Sequence, residues 1–240
     1  MYRVAIVAAL EREVRPLIRN WPLSAKEIDR RRFRFFEKGD SVVVCGGIGA
    51  EAARRAAEAV IGVYAPSIIY SAGFAGAVDP TLKVGDVVHP RRVVNAADGS
   101  SVNLDQGGGI LVSFGSVASP MQKASLRDSY AALAVDMEAA AVARAAESRG
   151  IGFAVLKVIS DEFDFSFPSM ERFIDSEGRF QQGRFAWFTA MRPWLWPQVV
   201  RLARNSNRAS LALCRSLQTM IDATSTPSGV QTVETSIAHE

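Results

Sequence analysis

Residues 3–21 read RVAIVAALEREVRPLIRNW, a short apolar run that leads directly into a charged, periodic segment. The run at 3–9 is typical of a buried strand. In the segment that follows, apolar residues recur at the spacing of one helix face: Leu10, Val14, Leu17 and Ile18. The stretch therefore predicts a strand followed by a helix, which is the repeating unit of parallel α/β sheets.

The same order repeats along the chain. Strand-like runs followed by helical segments lie at 41–64 and 131–148, and further buried strands are predicted within 66–78 and 150–161. Ser119-Pro120 is a start signal for a short helix. Between two more strand runs, the polar, glycine-rich stretch 95–109 lacks periodicity, and we expect a surface loop there.

Alternating strands and helices predict a three-layer α/β/α fold around a mainly parallel central mixed sheet, with a C-terminal helical extension. In such sheets, ligands collect at the carboxyl ends of the strands. The predicted strand ends carry glycine-rich turns and separated carboxylates: Glu13, 46–49, 72–76, 113–116, Met137-Glu138 and Ser160-Asp161. Glycines there allow a ligand to approach the backbone closely.

Composition narrows the chemistry. The chain has 240 residues, of which 48% are hydrophobic and 22% charged, as in an ordinary globular protein. No apolar run reaches the roughly 18 residues of a membrane span, and without a basic leader we expect a cytoplasmic protein. Cys45, Cys214, His89 and His239 are too scattered for a metal cluster or a His-based triad. We therefore expect carboxylates to be the acid–base groups, with no metal.

Two carboxylates, Asp136 and Glu138, lie in AVDMEAAAVARAA (134–146), between an apolar run and an alanine-rich helix. Acidic residues at a helix start cap free N–H groups and complement the helix dipole. Both residues could serve only that purpose. The rest of the sequence indicates that one of them contacts a ligand instead.

The chain resembles the nucleoside phosphorylase/nucleosidase superfamily, and most of all its methylthioadenosine/S-adenosylhomocysteine nucleosidase branch. The similarity covers about residues 1–175 and is carried by AALEREV, GGIG, SAGFAGAVDPTLKVGDVV, VDMEAAAVARAA and VISD in that order. It implies cleavage of the N-glycosidic bond between ribose and a purine. It also implies a homodimer, and no cofactor beyond phosphate as co-substrate if the enzyme is a phosphorylase.

The resemblance assigns roles to three carboxylates. Asp161 matches the general acid that protonates purine N7, and desolvation at an apolar strand end would raise its pKa. Glu138 matches the residue that grips the ribose hydroxyls, which leaves Asp136 as the cap. Glu13 matches the base that activates water, although Glu11 is an alternative counterpart. A carboxylate there favours hydrolysis over phosphorolysis, but water and phosphate both stay open.

Further residues are implied to line the substrate pocket: Met137 against the sugar, with Ile48, Gly49, Phe74, Ala75, Gly76, Val117, Ser160 and Phe163 around it. The apolar residues among them would serve equally well in a core. Phe74 replaces the small polar residue usual in the nucleosidases, and Lys157 stands where they often have arginine. These departures leave the base selectivity open.

The region between the strand runs, 89–109, is shorter than in typical nucleosidases, which would open the 5′ side of the pocket. Together with the C-terminal segment, this resembles the hopanoid-associated phosphorylase branch, whose expected substrate is an adenosyl-hopane lipid. The alternatives are a homologue that binds nucleosides without cleaving them and a phosphate-dependent purine nucleoside phosphorylase.

The basic charge is concentrated near the C-terminus. Residues 179–221 carry seven Arg and no Asp, Glu or Lys, which leaves 21 basic against 25 acidic residues elsewhere. One face of a predicted helix carries Arg201, Arg204, Arg208 and Arg215, and the opposite face carries Val199, Leu202, Leu213, Leu217 and Met220. Trp187, Trp194 and Trp196 precede this helix. This segment fits an anionic membrane surface or packing on the domain or a dimer partner. We expect no nucleic acid partner.

The sequence thus predicts three parts. Residues 1–178 form the nucleosidase-like domain, 179–222 an Arg/Trp-rich helical extension, and 223–240 a tail that is small, polar and expected to be disordered.

Overall fold

The structure is a computed structural model that describes residues 3–165, 170–175 and 178–225. The strands are β1 Val4–Ala8, β2 Leu23–Ile28, β3 Arg31–Lys38, β4 Ser41–Cys45, β5 Ile68–Ala77, β6 Val87–Val88, β7 Arg92–Asn95, β8 Ser101–Asn103, β9 Ile110–Ser113, β10 Ala132–Asp136 and β11 Gly152–Asp161. The helices are α1 Glu11–Ile18, α2 Ala50–Tyr64, α3 Pro120–Tyr130, α4 Ala139–Glu147, α5 Gln182–Ala190 and α6 Trp196–Ser225, with 3₁₀ turns at Met170–Phe173 and Pro193–Leu195.

These strands form one mixed sheet in the order β2-β3-β4-β1-β5-β10-β9-β7-β8, with β11 beside β5 and β6 beside β11. The central pairs β4/β1, β1/β5 and β5/β11 are parallel. Strand β10 meets the end of β5 in antiparallel register, with Val135 opposite Gly76. The carboxyl ends of β5, β10 and β11 therefore meet at one place.

Helices cover both faces of the sheet, which confirms the predicted three-layer fold. On one face α1 and α6 pack on β1, with Ile6, Val14 and Leu213 in the shared core. On the other face α2 packs on β1 and β4 and α4 packs on β5 and β11, and small alanines such as Ala56 and Ala146 allow close approach. Burial of these apolar faces is the main force that holds the layers together.

Helix α6 is a full member of the layer. Its second half buries Leu213, Leu217 and Ile221 against α1 and the sheet, while the four predicted arginines of the opposite face are exposed. The helix continues through Ser225, so residues 223–225 are helical and the expected tail cannot begin at 223. Residues 226–240 lie outside the described part of the chain.

The prediction of a loop at 95–109 is wrong in part, because Ser101–Asn103 form strand β8. The chain turns at Gly99, whose positive φ of 71° and N–H bond to the Asn95 carbonyl let β8 fold back along β7. Strand β8 is the polar edge of the sheet, so it carries no apolar alternation. A prediction based on apolar periodicity therefore does not detect this short polar strand.

Strand β2 was also absent from the sequence prediction. It pairs with β3 through a tight turn in which both Asp29 and Arg30 have positive φ. Such turns normally carry Gly or Asn, so the usual signal is missing. Neither strand alters the site, because both lie at sheet edges.

Helix α3 begins where Ser119-Pro120 predicted. The Ser119 hydroxyl accepts a hydrogen bond from the Gln122 N–H, and the Gln122 side chain accepts one from the Ser119 N–H. This reciprocal cap fixes the first turn of α3. It thereby fixes Lys123, which lies in that turn and points into the protein.

None of the helices in the described ranges is long and apolar enough to cross a membrane.

Candidate active site

A cavity of about 530 Å³ opens where β1, β5, β10 and β11 end. Helix α6 and the first turn of α3 complete its wall. The residues that line it include Leu10, Arg12, Glu13, Ile48, Phe74, Ala75, Gly76, Val117, Lys123, Asp136, Met137, Glu138, Ser160, Asp161, Phe165, Leu202 and Ser206. Its volume lies within the roughly 300–1,000 Å³ of small-molecule sites.

The two carboxylates at the end of β10, Asp136 and Glu138, have different surroundings. Asp136 is buried, and its carboxylate accepts hydrogen bonds from the Ala139 N–H (2.8 Å) and the Ser113 hydroxyl (2.6 Å), so it caps α4. The Glu138 carboxylate lies at the cavity and is held by the N–H of Gly49 (2.9 Å). Asp136 is therefore held by the protein itself, while the carboxylate of Glu138 faces the cavity.

Glu13 lies on α1 just beyond β1 and reaches back into the cavity. Its Oε2 atom is buried and has no hydrogen-bond partner among the described residues. Burial, reinforced by the nearby Glu138 carboxylate, raises the pKa of Glu13 to about 7. An unpaired carboxylate that titrates near neutrality is suited to accept a proton from a nucleophile.

The alternative carboxylate, Glu11, points elsewhere. It forms an exposed ion pair with Arg34 at 2.6 Å and lines a separate cavity of about 310 Å³. The geometry therefore favours Glu13 over Glu11 as the carboxylate of the site.

Lys157 holds the carboxylates together. Its ammonium is buried, 2.8 Å from Asp136 and 3.7 Å from Glu138. Burial alone would lower the pKa of Lys157, but the two carboxylates more than offset it, so the net shift is upward. Burial also raises the pKa of Glu138, against the attraction of Lys157. Lys157 thus provides one fixed positive charge among three carboxylates.

Asp161 ends β11 at the opposite side of the cavity. Its Oδ1 atom accepts a hydrogen bond from the Ser160 hydroxyl at 2.8 Å, and its Oδ2 atom pairs with the ammonium of Lys123 at 2.5 Å. The sequence predicted an apolar setting for this carboxyl group. The structure instead places a buried cation against it.

Most of the predicted substrate residues line the cavity: Met137, Ser160, Ile48, Phe74, Ala75, Gly76 and Val117. Two do not. Gly49 does not line the cavity, but its N–H donates a hydrogen bond to the Glu138 carboxylate. Phe163 stacks under the guanidinium of Arg127 at 5.3 Å, and Phe165 lines the cavity in its place. A turn follows Asp161, and Phe165 rather than Phe163 faces the cavity.

Several residues of the cavity wall were not predicted from the sequence: Arg12, Lys123, Phe165, Leu202 and Ser206. The sequence predicted Leu202 only as a residue on the apolar face of the C-terminal helix. Lys123 offered one signal, because it lies one helical turn before the buried Leu126, on the inward face of α3. Within the described residues, no group of three or more His, Cys, Asp or Glu side chains is arranged to hold a metal ion.

The fold and this cavity define the class of protein. Buried carboxylates with shifted pKa values, gathered around a pocket at the carboxyl ends of an α/β sheet, are typical of an enzyme active site for a small molecule. A sequence model of the Phosphorylase superfamily matches residues 3–120 and 109–182. The chain therefore belongs to the Phosphorylase superfamily.

Individual relatives agree with this assignment. The chain is 26% identical, over 208 residues, to the 5′-methylthioadenosine/S-adenosylhomocysteine nucleosidase of Staphylococcus aureus strain bovine RF122, an alignment that covers 69% of this chain and 91% of that protein. The fold of this chain is similar to that of futalosine hydrolase from Helicobacter pylori. The TM-score is 0.69, with 17% identity over 92% of this chain and 98% of the hydrolase.

A second similar fold contains a ligand. A mutant of the H. pylori 5′-methylthioadenosine/S-adenosylhomocysteine nucleosidase, with 5′-methylthioadenosine in its active site, has a TM-score of 0.70 and 16% identity, over 93% of this chain and 99% of that one. The likeness of both structures to this chain concerns the fold.

Proposed function

We propose that the protein hydrolyses the N-glycosidic bond of an adenosine-type purine nucleoside and releases the free base. The observation that supports this most is the convergence of Glu13, Glu138 and Asp161 on one cavity. The nucleosidase name of the 26% identical relative supports the same substrate class. A protein that only bound nucleosides would have no need of a proton donor at the base and a proton acceptor near the sugar.

Each carboxylate has a distinct task in this reaction. Asp161 delivers a proton to N7 of the purine, which makes the base a better leaving group. Glu138 binds the ribose hydroxyls and stabilises the positive charge that develops on the sugar. Glu13 removes a proton from the attacking water, and its pKa of about 7 suits that role. Met137, adjacent to Glu138, packs against the sugar.

Water is favoured over phosphate by the charges around Glu13. Asp136, Glu138 and Glu13 are gathered around a single lysine, Lys157. A phosphate dianion in contact with the Glu13 carboxylate would be repelled, whereas water would find an acceptor in its unpaired Oε2. Phosphorolysis is the second candidate, since Arg12 also lines the cavity.

A product assay separates these outcomes. Purified protein is incubated with 5′-methylthioadenosine, S-adenosylhomocysteine and adenosine, with and without phosphate, and adenine and the sugar product are quantified. Hydrolysis gives adenine and free sugar at a rate independent of phosphate. Sugar 1-phosphate that forms only with phosphate identifies a phosphorylase, and binding without adenine release, equal to that of Asp161→Asn, identifies a non-catalytic homologue.

We further propose a substrate with a large apolar 5′ group, such as adenosyl-hopane, met at the inner face of a membrane by a cytoplasmic enzyme. Trp187 and Trp194 are 72% and 71% exposed. The surrounding α5–α6 segment contains arginines and no acidic residue from 179 to 221. The same helix α6 lines the cavity through Leu202 and Ser206. Release of adenine from 5′-methylthioadenosine but not from a lipid-linked adenosyl compound contradicts this proposal.

A homodimer is the proposed assembly. Val117 lines the cavity and yet is 43% exposed, and Met121, four residues further along the chain, is 81% exposed. A second copy of the chain would cover these exposed apolar side chains. Light scattering of the purified protein at several concentrations tests this, and a monomer throughout would contradict it.

A further inference from the structure

Two of the five lysines of the chain are fully buried. Lys123 lines the active-site cavity, and Lys157 lies behind its wall, paired with Asp136 and Glu138. Lys157 sits among the carboxylates of the sugar side. Lys123 reaches from α3 to the other side, where its Nζ atom lies 2.5 Å from Asp161 Oδ2 and 2.8 Å from the carbonyl oxygen of Glu162. A buried lysine is costly unless it is paired, so this ammonium needs a specific explanation.

Asp161 is the carboxylate that neutralises Lys123. Two more acidic groups lie in the turn after β11. Glu162 directs its carboxylate to Arg201 of α6 at 2.9 Å, and Asp164 is exposed. On α3 itself, Arg127 stacks on Phe163 and pairs with Asp128 at 3.5 Å. Within the described residues, no other ion pair involves Lys123.

The third element packed here is β5, which contributes bare backbone at Gly76. A β-carbon at this position would lie 2.8 Å from Asp161 Oδ2 and 3.2 Å from Lys123 Nζ. The absence of a side chain thus leaves room for the Lys123–Asp161 pair beside the cavity. Ser160 completes the arrangement by donating to the other oxygen of Asp161.

We propose that Lys123 supplies the proton that Asp161 transfers to the departing base. The proposal rests on the proposed nucleoside cleavage. The N–H bond of the ammonium breaks as an O–H bond forms at Oδ2. That proton then bonds to N7 while the electrons of the glycosidic bond move onto the purine. Lys123 is left as a neutral amine, and Glu13 takes the proton of the attacking water. Glu13 then releases that proton to the solvent, and Lys123 takes one up from the solvent, which restores both groups.

This role makes Lys123 a positioning residue that acts through Asp161. An alkylammonium ordinarily keeps its proton to about pH 10, whereas a carboxylic acid ordinarily loses its proton near pH 4. An ammonium beside a carboxylate is therefore a source of protons above neutral pH, where an isolated carboxylic acid has none to give. The site gains the ability to protonate the base in the range where Glu13 is ionised and able to activate water.

The test compares Lys123→Met and Lys123→Arg with the control Lys83→Met, which removes an exposed lysine that does not line the cavity. The rate of adenine release is measured from about pH 6 to 10. At about pH 8 we expect Lys123→Met to be roughly 100-fold slower or more, in line with the loss of a general-acid step. We also expect its activity to decline at lower pH than that of the wild type.

Arginine distinguishes proton supply from charge alone, because its guanidinium does not release a proton in this range. We expect Lys123→Arg to stay slow. Full activity in Lys123→Arg, or an unchanged pH profile in Lys123→Met, overturns the proposal. Circular dichroism verifies that each variant is folded, and the arginine variant keeps the test decisive if the methionine variant does not fold.

A second substrate isolates the base side of the reaction. A nitrophenyl riboside has a leaving group that departs without protonation, so the Lys123 variants should cleave it within a few-fold of the wild-type rate. An equal loss on both substrates overturns the proposal. If the wild type releases no adenine but cleaves the riboside, the proposed nucleoside substrate is wrong, and this result is distinct from a failure of Lys123 alone.

Discussion

Gly73, within β5, faces the carboxylate of Glu13: a β-carbon at position 73 would lie 2.9 Å from Oε2. The φ angle of Gly73 is +151°, which L side chains rarely adopt. Position 73 therefore requires glycine for two independent reasons. The one unpaired buried carboxylate oxygen among the described residues depends on this close approach of bare backbone.

Gly73→Ala should therefore damage the site. The new methyl group displaces Glu13, and we expect kcat for base release to fall at least about 10-fold, since small misplacements of catalytic groups are costly. The matched control is Gly62→Ala in α2, where a β-carbon meets nothing within 4 Å. That variant should keep full activity and gain up to about 1 kcal/mol in stability. Equal kcat values for the two variants contradict the prediction.

The pH dependence of the rate should report Glu13. With a pKa of about 7, the residue is mostly protonated, and inactive as a base, below neutrality. We expect kcat/KM to rise as pH increases through about 7 and to level off above it. Glu13→Gln should lose this rise together with most of the activity. A flat profile in the wild type from about pH 5 to 8 would show that Glu13 is not the base.

The raised pKa of Glu13 also predicts that the folded protein loses stability as the pH increases. The pKa of Glu13 is raised from 4.5 to about 7 on folding, so the folded state binds a proton more tightly than the unfolded state. Stability is therefore lost as pH rises from 4.5 to 7. Glu13→Gln removes the buried charge, and it should be up to about 3 kcal/mol more stable than the wild type above pH 7. At about pH 4 the two proteins should unfold alike. Urea unfolding at both pH values measures this, and equal stability above pH 7 contradicts it.

Asp136 and Glu138 should respond differently to the loss of charge. Asp136→Asn removes the 2.8 Å partner of the buried Lys157, and breaking such a pair costs about 3–5 kcal/mol. Glu138→Gln can keep its bond from the Gly49 N–H and should remain near wild-type stability. Its kcat should fall about 100-fold or more, because the charge opposite the sugar is lost. Thermal unfolding and adenine release, measured on both variants, distinguish the structural role of Asp136 from the catalytic role of Glu138. Similar unfolding temperatures for the two would argue against the division.

The parts of the fold that the sequence predicted are those with a strong apolar pattern. Strands β1, β4, β5 and β11 are continuous apolar runs because helices cover both faces of the sheet at those positions. Strands β2 and β8 lie at the edges, and their polar residues carry no such pattern. Edge strands form because of turn geometry and pairing with a neighbouring strand. The local pattern of apolar residues carries no information about either.

The site shows the same contrast. Glu13, Glu138 and Asp161 were predicted to share a site, because each lies at or just beyond the end of a recognisable strand, where ligands collect in α/β sheets. The lysines were harder to place. Lys123 lies 38 residues from Asp161, and a lysine in a helix is ordinarily solvated. Only the packing of α3 across β10 and toward β11 shows that it is buried and paired.

The exposed tryptophans give a prediction about partners. Trp187 and Trp194 lie outside the cavity wall and in a segment whose charged residues are all arginines. Indole rings bind at the headgroup level of a bilayer, and arginines attract anionic lipids. We expect the protein to co-sediment with vesicles that contain phosphatidylglycerol, less with vesicles of phosphatidylcholine alone, and less at high salt because the attraction is screened.

Replacement of both tryptophans with serine should abolish vesicle binding without changing kcat on a water-soluble nucleoside, because neither ring touches the cavity. Leu23→Ser provides the matched control, since Leu23 is an exposed apolar residue on the distant edge strand β2. That variant should bind vesicles as the wild type does. If the double variant still binds, the membrane contact lies elsewhere. If the double variant instead changes the oligomeric state, the tryptophans cover a second copy of the chain, because an apolar patch buried between subunits would leave no surface for lipid.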